Sequence, residues 1–396
     1  MNKPVPTEGS LSLKLPTAER GLETYRLSVP QAFSAKLTGE LNRVAFSAAH
    51  VVADPLASVD PWLEPAIDWD RTIAFREHIW DLGLGVAEAM DTAQRGMGLD
   101  WPTSLELIKK SVAAARARGG LVASGAGTDH LNPDDTRSLD DVIRAYEEQV
   151  EAIEAVGGRI ILMASRSLAR VGTGASDYET VYDRILSQVR QPVIIHWLGD
   201  MFDPALSGYW GTHDIDAAMN TALGIINAHA EKVDGVKISL LDKQREIDMR
   251  RRLDKRVKMY TGDDFNYAEL IAGDAHGFSH ALLGIFDAIA PAASYALSRL
   301  ADGDVATFED VLAPTVPLSR HIFKAPTRFY KTGVVFMAYL NGHQDHFTMI
   351  GGQESARSTL HLAQIFRLAD RARLLTDPDR AVARMKEVLA VRGIEA

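Results

Sequence analysis

The chain has 396 residues, 46% hydrophobic and 24% charged, which is ample material for a large core in one or more domains. Its formal charge of −10 argues against a nucleic-acid partner, which calls for a net basic face. It has no cysteine, so disulfides, zinc–thiolate sites and cysteine nucleophiles are excluded together. The opening stretch Met1–Pro16 lacks the apolar core of a signal peptide. No apolar run reaches the ~18 residues of a membrane span. The expectation is a cytoplasmic protein with no membrane partner.

Residues 1–40 read as an N-terminal extension, with alternating patterns at Leu11–Leu15 and Thr24–Ser28 that suggest a hairpin. From there short apolar runs alternate with helix-period stretches. The strand candidates are Arg43–Ala48, Gly85–Met90, Gly120–Ser124, Arg159–Ala164, Pro192–Trp197, Gly235–Ser239, Val257–Thr261 and Gly277–Leu283. Helical spacing fills the gaps at Ile67–Leu82, Ser104–Arg118, Leu139–Val156, Tyr178–Val189, Ile215–Lys232, Lys243–Leu253 and Tyr267–Ala272. Eight strands with intervening helices predict a closed (β/α)8 barrel over residues 41–291. The rival is an open doubly wound sheet, whose G-x-G-x-x-G signature is missing. From Pro291 the rhythm stops, and residues 292–396 read as a helical extension beginning at Ala292.

In a barrel, chemistry gathers where the strands end and the βα loops begin. The polar residues at those ends include His50, Glu88, Asp91, Thr92, Asp129, His130, Arg166, His196, Lys237, Ser239, Asp263, Asp264 and His280. Lys237 stands out because it interrupts an apolar strand, Val236-Lys237-Ile238. A desolvated lysine either finds a carboxylate or loses its proton. The free amine can then attack a carbonyl, and the resulting iminium acts as an electron sink for C–C bond cleavage or formation. The bland reading is a lysine paired with a neighbouring Asp or pointing to solvent. His196 ends another apolar strand and suits general acid–base work, or else it is a strand-end histidine bonded to backbone. Gly262-Asp263-Asp264 is either a plain capping turn or a support for the lysine. Asp129, His130, Glu88, His196 and His280 are the set from which a metal site would have to be built. The cluster Phe323, Phe329, Tyr330 and Phe336 reads as packing.

These motifs resemble the dihydrodipicolinate synthase/N-acetylneuraminate lyase superfamily of class I aldolases, nearest to a bacterial branch known as dihydrodipicolinate synthase-like. Gly235-Val236-Lys237 is similar to the family's Schiff-base lysine strand. Tyr260-Thr261-Gly262-Asp263-Asp264 is similar to its S-G-D-D turn, and Gly277–Pro291 to its eighth strand and following helix. The resemblance implies a Schiff-base lyase on a barrel, with no cofactor, acting on a small carbonyl compound and forming a homo-oligomer, dimer or tetramer.

There are departures. His196 stands where the family carries a proton-relaying tyrosine. Met90-Asp91-Thr92-Ala93-Gln94 stands in place of G-T-T-G-E, and Ser165-Arg166-Ser167 replaces an aromatic pair. Asp91 would repel a substrate carboxylate. A hydroxylated, sugar-derived keto compound suits Asp91, Asp129 and His130 better, because carboxylates accept hydrogen bonds from hydroxyls. The assignment is Lys237 as nucleophile and His196 as proton shuttle. Asp91, Thr92, Asp129, His130, Arg166, Ser239, Asp263 and Asp264 are placed around the substrate. A metal-dependent aldolase or epimerase, and a catalytically silent binding barrel, stay open as alternatives.

Overall fold

The computed structural model describes residues 11–30, 33 and 40–395. The expectation about the start of the chain falls largely on residues 1–10, outside the described residues. Strands β1 (Ser12–Pro16) and β2 (Leu22–Arg26) form an antiparallel hairpin with Ser12 opposite Arg26. Its Leu13 and Leu15 are buried. The hairpin is tied to the helix Thr359–Arg371 by Arg367 donating to Glu23 at 2.7 Å and by the Tyr25 hydroxyl donating to Asp370 at 2.8 Å.

Eight parallel strands follow: β3 (Ala45–Ala48), β4 (Gly85–Glu88), β5 (Val122–Ala126), β6 (Arg159–Met163), β7 (Val193–Leu198), β8 (Val233–Ser239), β9 (Lys258–Thr261) and β10 (His280–Leu283). They pair in sequence order, and β10 closes on β3. The fold is a (β/α)8 barrel, and the open-sheet alternative falls. Each strand lies on an expected apolar run. β5 starts later than Gly120 because Gly119, at φ 69°, ends the helix Trp101–Arg118 and the next two residues carry the chain round.

Side chains alternate between the inside of the ring and the helical shell. Phe46, Ala87, Ala123, Ile161, Ile194, Tyr260 and Leu282 form the inner cluster, separate from the larger core between strands and helices. Ile194 is in register with Gly235, and two residues further along His196 is in register with Lys237. Lys237 therefore shares the inward parity. One register shift at the start of β7 and β8 makes Asp234 an extra residue. Its carboxylate accepts from Lys258 and from the Tyr260 hydroxyl, both at 2.7 Å, at the N-terminal end of the ring. That end is conventionally the stabilising face rather than the reactive one.

Beyond β10 the chain is helical. The first helix of this part, Ile285–Ala301, begins well before the expected Ala292 and runs through Pro291. The break is absorbed at Ile289, whose φ −125° and ψ 20° leave the helical region. Proline removes a donor and crowds the preceding turn, so a local departure replaces the expected boundary. His50, just after β3, bonds Asp287 of this helix at 2.8 Å in a fully buried contact. The helix Tyr330–Leu340 is buried along its whole length. Among the described residues no helix is long and apolar enough to cross a membrane.

Candidate active site

Lys237 is 5% exposed, and among the described residues its amine has no hydrogen bond and no carboxylate at ion-pair distance. Burial lowers its pKa, opposed by the charges of Asp91 and Asp264. Space for the lysine comes from Gly262. A Cβ there would lie 2.8 Å from Lys237 Cε and 2.3 Å from Ser239 Oγ. The turn that follows β9 is thus glycine because two inward side chains of β8 pass against its backbone.

His196 Nε2 lies 3.3 Å from Ser239 Oγ. Burial, reinforced by the charge of Lys237, drives the His196 pKa well below the usual imidazole value. The ring is therefore a neutral acceptor at physiological pH. Asp264 accepts from the backbone N–H of Ile285 at 2.9 Å, yet burial pushes its carboxyl up to about 8. Desolvation outweighs the helix N–H, so at neutral pH Asp264 is a poor counter-charge for Lys237.

That leaves Asp91, and other groups compete for it. The Tyr330 hydroxyl donates to Asp91 Oδ2 at 2.8 Å and lies 2.7 Å from Thr92 Oγ1. Against burial, the Asp91 carboxyl is held below the usual range chiefly by the positive charge of Lys331, with Lys237 next and the Tyr330 hydrogen bond adding to it. Tyr330 and Lys331 open the buried C-terminal helix, so that helix completes the barrel end. Sequence reasoning treated Tyr330 as packing and did not single out Lys331. The one available signal was a lysine set in a wholly apolar helix.

A cavity of about 820 Å³, its open mouth included, reaches three of these groups, while Lys237, Asp264 and Tyr330 are not among the residues that line it. His196, Asp91 and Lys331 line it together with Asp129, Arg95, Arg166 and Asp203. Arg95 holds Asp129 with two hydrogen bonds, at 2.8 and 2.7 Å, and Gln149 adds a third at 3.0 Å. Arg166 pairs with Asp203 at 2.5 Å. The remaining candidates stand elsewhere. His130 faces Gln149 and Glu148 and does not line the cavity. Asp263 turns back on its own loop, accepting from the N–H groups of Phe265 and Asn266. Thr92 and Ser239 are buried behind the wall, touching Tyr330 and His196 respectively.

The side chains proposed for a metal do not converge. Glu88 points into the helical shell, where Arg76 binds it at 2.9 Å through both oxygens, and Ser111 is a further partner. His280 accepts from the backbone of Val44 at the opposite end of the ring. Among the described residues no three His, Asp or Glu side chains are grouped to hold a metal ion.

A family model described as "Protein of unknown function (DUF993)" matches residues 13–394. The chain belongs to that family. No curated protein matches the sequence. The fold is shared with solved structures. One is YagE of Escherichia coli K12, a prophage protein of the dihydrodipicolinic acid synthase family in complex with pyruvate. It is 12% identical, with a TM-score of 0.64 over 84% of this chain and 99% of that one. Dihydrodipicolinate synthase of Thermotoga maritima is 13% identical, with a TM-score of 0.62 over 85% and 100%. The enzyme of Acinetobacter baumannii, complexed with pyruvate, is 16% identical, with a TM-score of 0.60 over 83% and 98%. At such identities the likeness is one of fold, and it covers those chains almost end to end.

Proposed function

We propose that this protein is a Schiff-base-forming lyase or aldolase that makes or breaks a C–C bond in a small carbonyl compound through Lys237. The observation that carries the reading is an inward-facing amine, almost fully buried and without a hydrogen-bond or ion-pair partner among the described residues, one strand away from a cavity-lining histidine. Burial favours the neutral amine, and of the two carboxyls whose charge opposes it, Asp264 is held protonated by its own burial. The fold's likeness to the dihydrodipicolinate synthase structures supports the same reading.

In this reading the amine adds to the carbonyl carbon and water leaves. The resulting iminium accepts the electron pair of the C–C bond one carbon further on, giving an enamine, and the other fragment leaves as a carbonyl compound as its hydroxyl loses its proton. His196, neutral and inside the cavity wall, takes and returns the proton. Asp91 Oδ1 has no donor among the described residues and is placed to accept from a substrate hydroxyl. Asp129 lines the same cavity, held in place by Arg95.

Borohydride reduction in the presence of a panel of aldehydes and keto compounds tests this directly. The expected result is a mass increase on the peptide containing Lys237 and none in Lys237→Ala. A label on Lys331 instead would move the chemistry to the other buried amine at the site. No label with any compound, together with an active Lys237→Ala variant, would remove the reading.

A further inference from the structure

The wall of the cavity contributed by the C-terminal helix carries a buried ammonium with no ion-pair partner among the described residues. Lys331 is the charged residue of the helix Tyr330–Leu340 and is 4% exposed. Its three N–H groups have one acceptor, the backbone oxygen of Arg328 at 2.9 Å. Among the described residues no carboxylate lies within ion-pair distance of it. Asp91 and Asp203 act on it from beyond ion-pair distance and the Tyr330 ring lies 4.6 Å away, so its charge is balanced only in part, and such groups are paired, neutralised or matched by a ligand.

Arg166 lines the same cavity and is 41% exposed on its side chain. It engages Asp203 through Nε only, which leaves both terminal amino groups of the guanidinium without an acceptor among the described residues. Gly96, at φ 70°, lies against them. A Cβ at that position would stand 3.3 Å from Arg166 Nη1. The glycine therefore keeps the guanidinium fork uncovered. Lys331 and Arg166 line the same cavity, and the charge of Arg166 reaches Lys331, though less strongly than those of Asp91 and Asp203.

The charges along the cavity point the same way. Asp91, Asp129 and Asp203 are matched in number by Arg95, Arg166 and Lys331. Each carboxylate already has a donor of its own, in Tyr330, Arg95 and Arg166 respectively. An iminium formed at Lys237 adds one positive charge to this balanced set, and an anion on the substrate offsets it.

We propose that Lys331 and Arg166 form an anion subsite, which binds a carboxylate or phosphate group carried by the substrate away from the carbonyl that Lys237 attacks. A planar guanidinium and a point-charge ammonium on one wall suit either anion. The link to a substrate carbonyl rests on the Schiff-base reading. The anion subsite itself rests on the two cations and the cavity alone.

The test uses the full-length protein at constant ionic strength, with chloride as the reference salt. Thermal melting is followed while inorganic phosphate or malonate is titrated. The expected result is a saturable rise in Tm with at least one of the two anions, and which one acts separates phosphate from carboxylate recognition. Arg166→Gln and Lys331→Gln should each weaken that binding tenfold or more, and Lys331→Arg should restore most of it. If Lys331→Gln does not fold, Arg166→Gln, at a partly exposed position, still reads the subsite. Neither anion binding better than chloride, or wild-type binding in a folded Gln variant, would overturn the subsite. Borohydride trapping of the wild-type protein by neutral glyceraldehyde is measured in parallel. Saturable anion binding with no trapping by any of the aldehydes and keto compounds, together with an active Lys237→Ala variant, would remove the Schiff-base reading and leave the subsite standing.

Discussion

The Tyr330 hydroxyl donates to Asp91 Oδ2 at 2.8 Å, joining a helix near the end of the chain to the loop that leaves the second barrel strand. The bond occupies the one ionised carboxylate that acts on Lys237 and so weakens its hold on the lysine's proton. Tyr330→Phe removes this bond and the contact with Thr92. A hydrogen bond to a charged group is worth about 1.5–3 kcal/mol, so unfolding in denaturant should show a loss of that order. Asp91 then interacts more strongly with Lys237, whose pKa rises. A higher pKa leaves a smaller fraction of free amine at a given pH. The trapping rate should fall at pH 7 and recover toward alkaline pH. An unchanged pH profile would count against this coupling.

Gly262→Ala places a methyl group 2.6 Å from the backbone oxygen of Ile238 as well as against Ser239 and Lys237. A backbone atom cannot step aside cheaply. Overpacking of this kind costs about 1–3 kcal/mol. The variant should melt earlier and lose most of its labelling at Lys237. Labelling at the wild-type rate would show that Gly262 does not set the position of the lysine.

Arg76 and Glu88 are a fully buried pair bonded through both carboxylate oxygens at 2.9 Å. Removing one partner should cost about 3–5 kcal/mol, because the other charge is left buried. Glu88→Ala is the severe variant. The double change Arg76→Met with Glu88→Leu should recover much of the loss. Because Glu88 faces the helical shell, the double variant should still be labelled at Lys237. A double variant less stable than the single one would reject this account.

Glu246 sits behind the barrel, accepting from the Ser279 hydroxyl at 2.7 Å, and burial pushes its carboxyl up to about 8. The unfolded chain releases this proton near the ordinary glutamate value of 4.5, while the folded chain keeps it until about 8. The folded state binds more protons across that window, so stability falls as pH rises through it. The slope from one such group is up to about 1.4 kcal/mol per pH unit. Asp264, also raised to about 8, adds a second contribution of the same sign. Glu246→Gln should flatten the profile by one group's share between pH 5 and 8, read from urea midpoints. An unaltered slope would show that Glu246 ionises normally.

The barrel was legible because its signals are local. Ile194, His196, Gly235 and Lys237 keep the alternation of a strand, so His196 and Lys237 fall on the same side as Ile194, and the inner cluster of the closed ring shows that side to be the inside. The helix around Pro291 was misplaced because a proline reads as a boundary when the compensating departure at Ile289 is invisible in the sequence. His130 was placed at the substrate because it follows a strand. Its ring instead meets Gln149 and Glu148 of the next helix, Leu139–Ala155, a contact that depends on how that helix packs back on the loop.

Local periodicity, a property of neighbouring residues, was enough to place eight strands and a lysine within the sixth, whereas the side on which its amine lies was decided by the closed ring and its register. Which carboxylates remain available to that amine was decided only by tertiary structure. Arg95 engages Asp129, Asp263 caps its own turn, burial keeps Asp264 protonated, and Tyr330 arrives from far along the chain to hold Asp91. Hydrogen bonds and desolvation depend on what stands beside a group in space, and no spacing within one strand or loop encodes that.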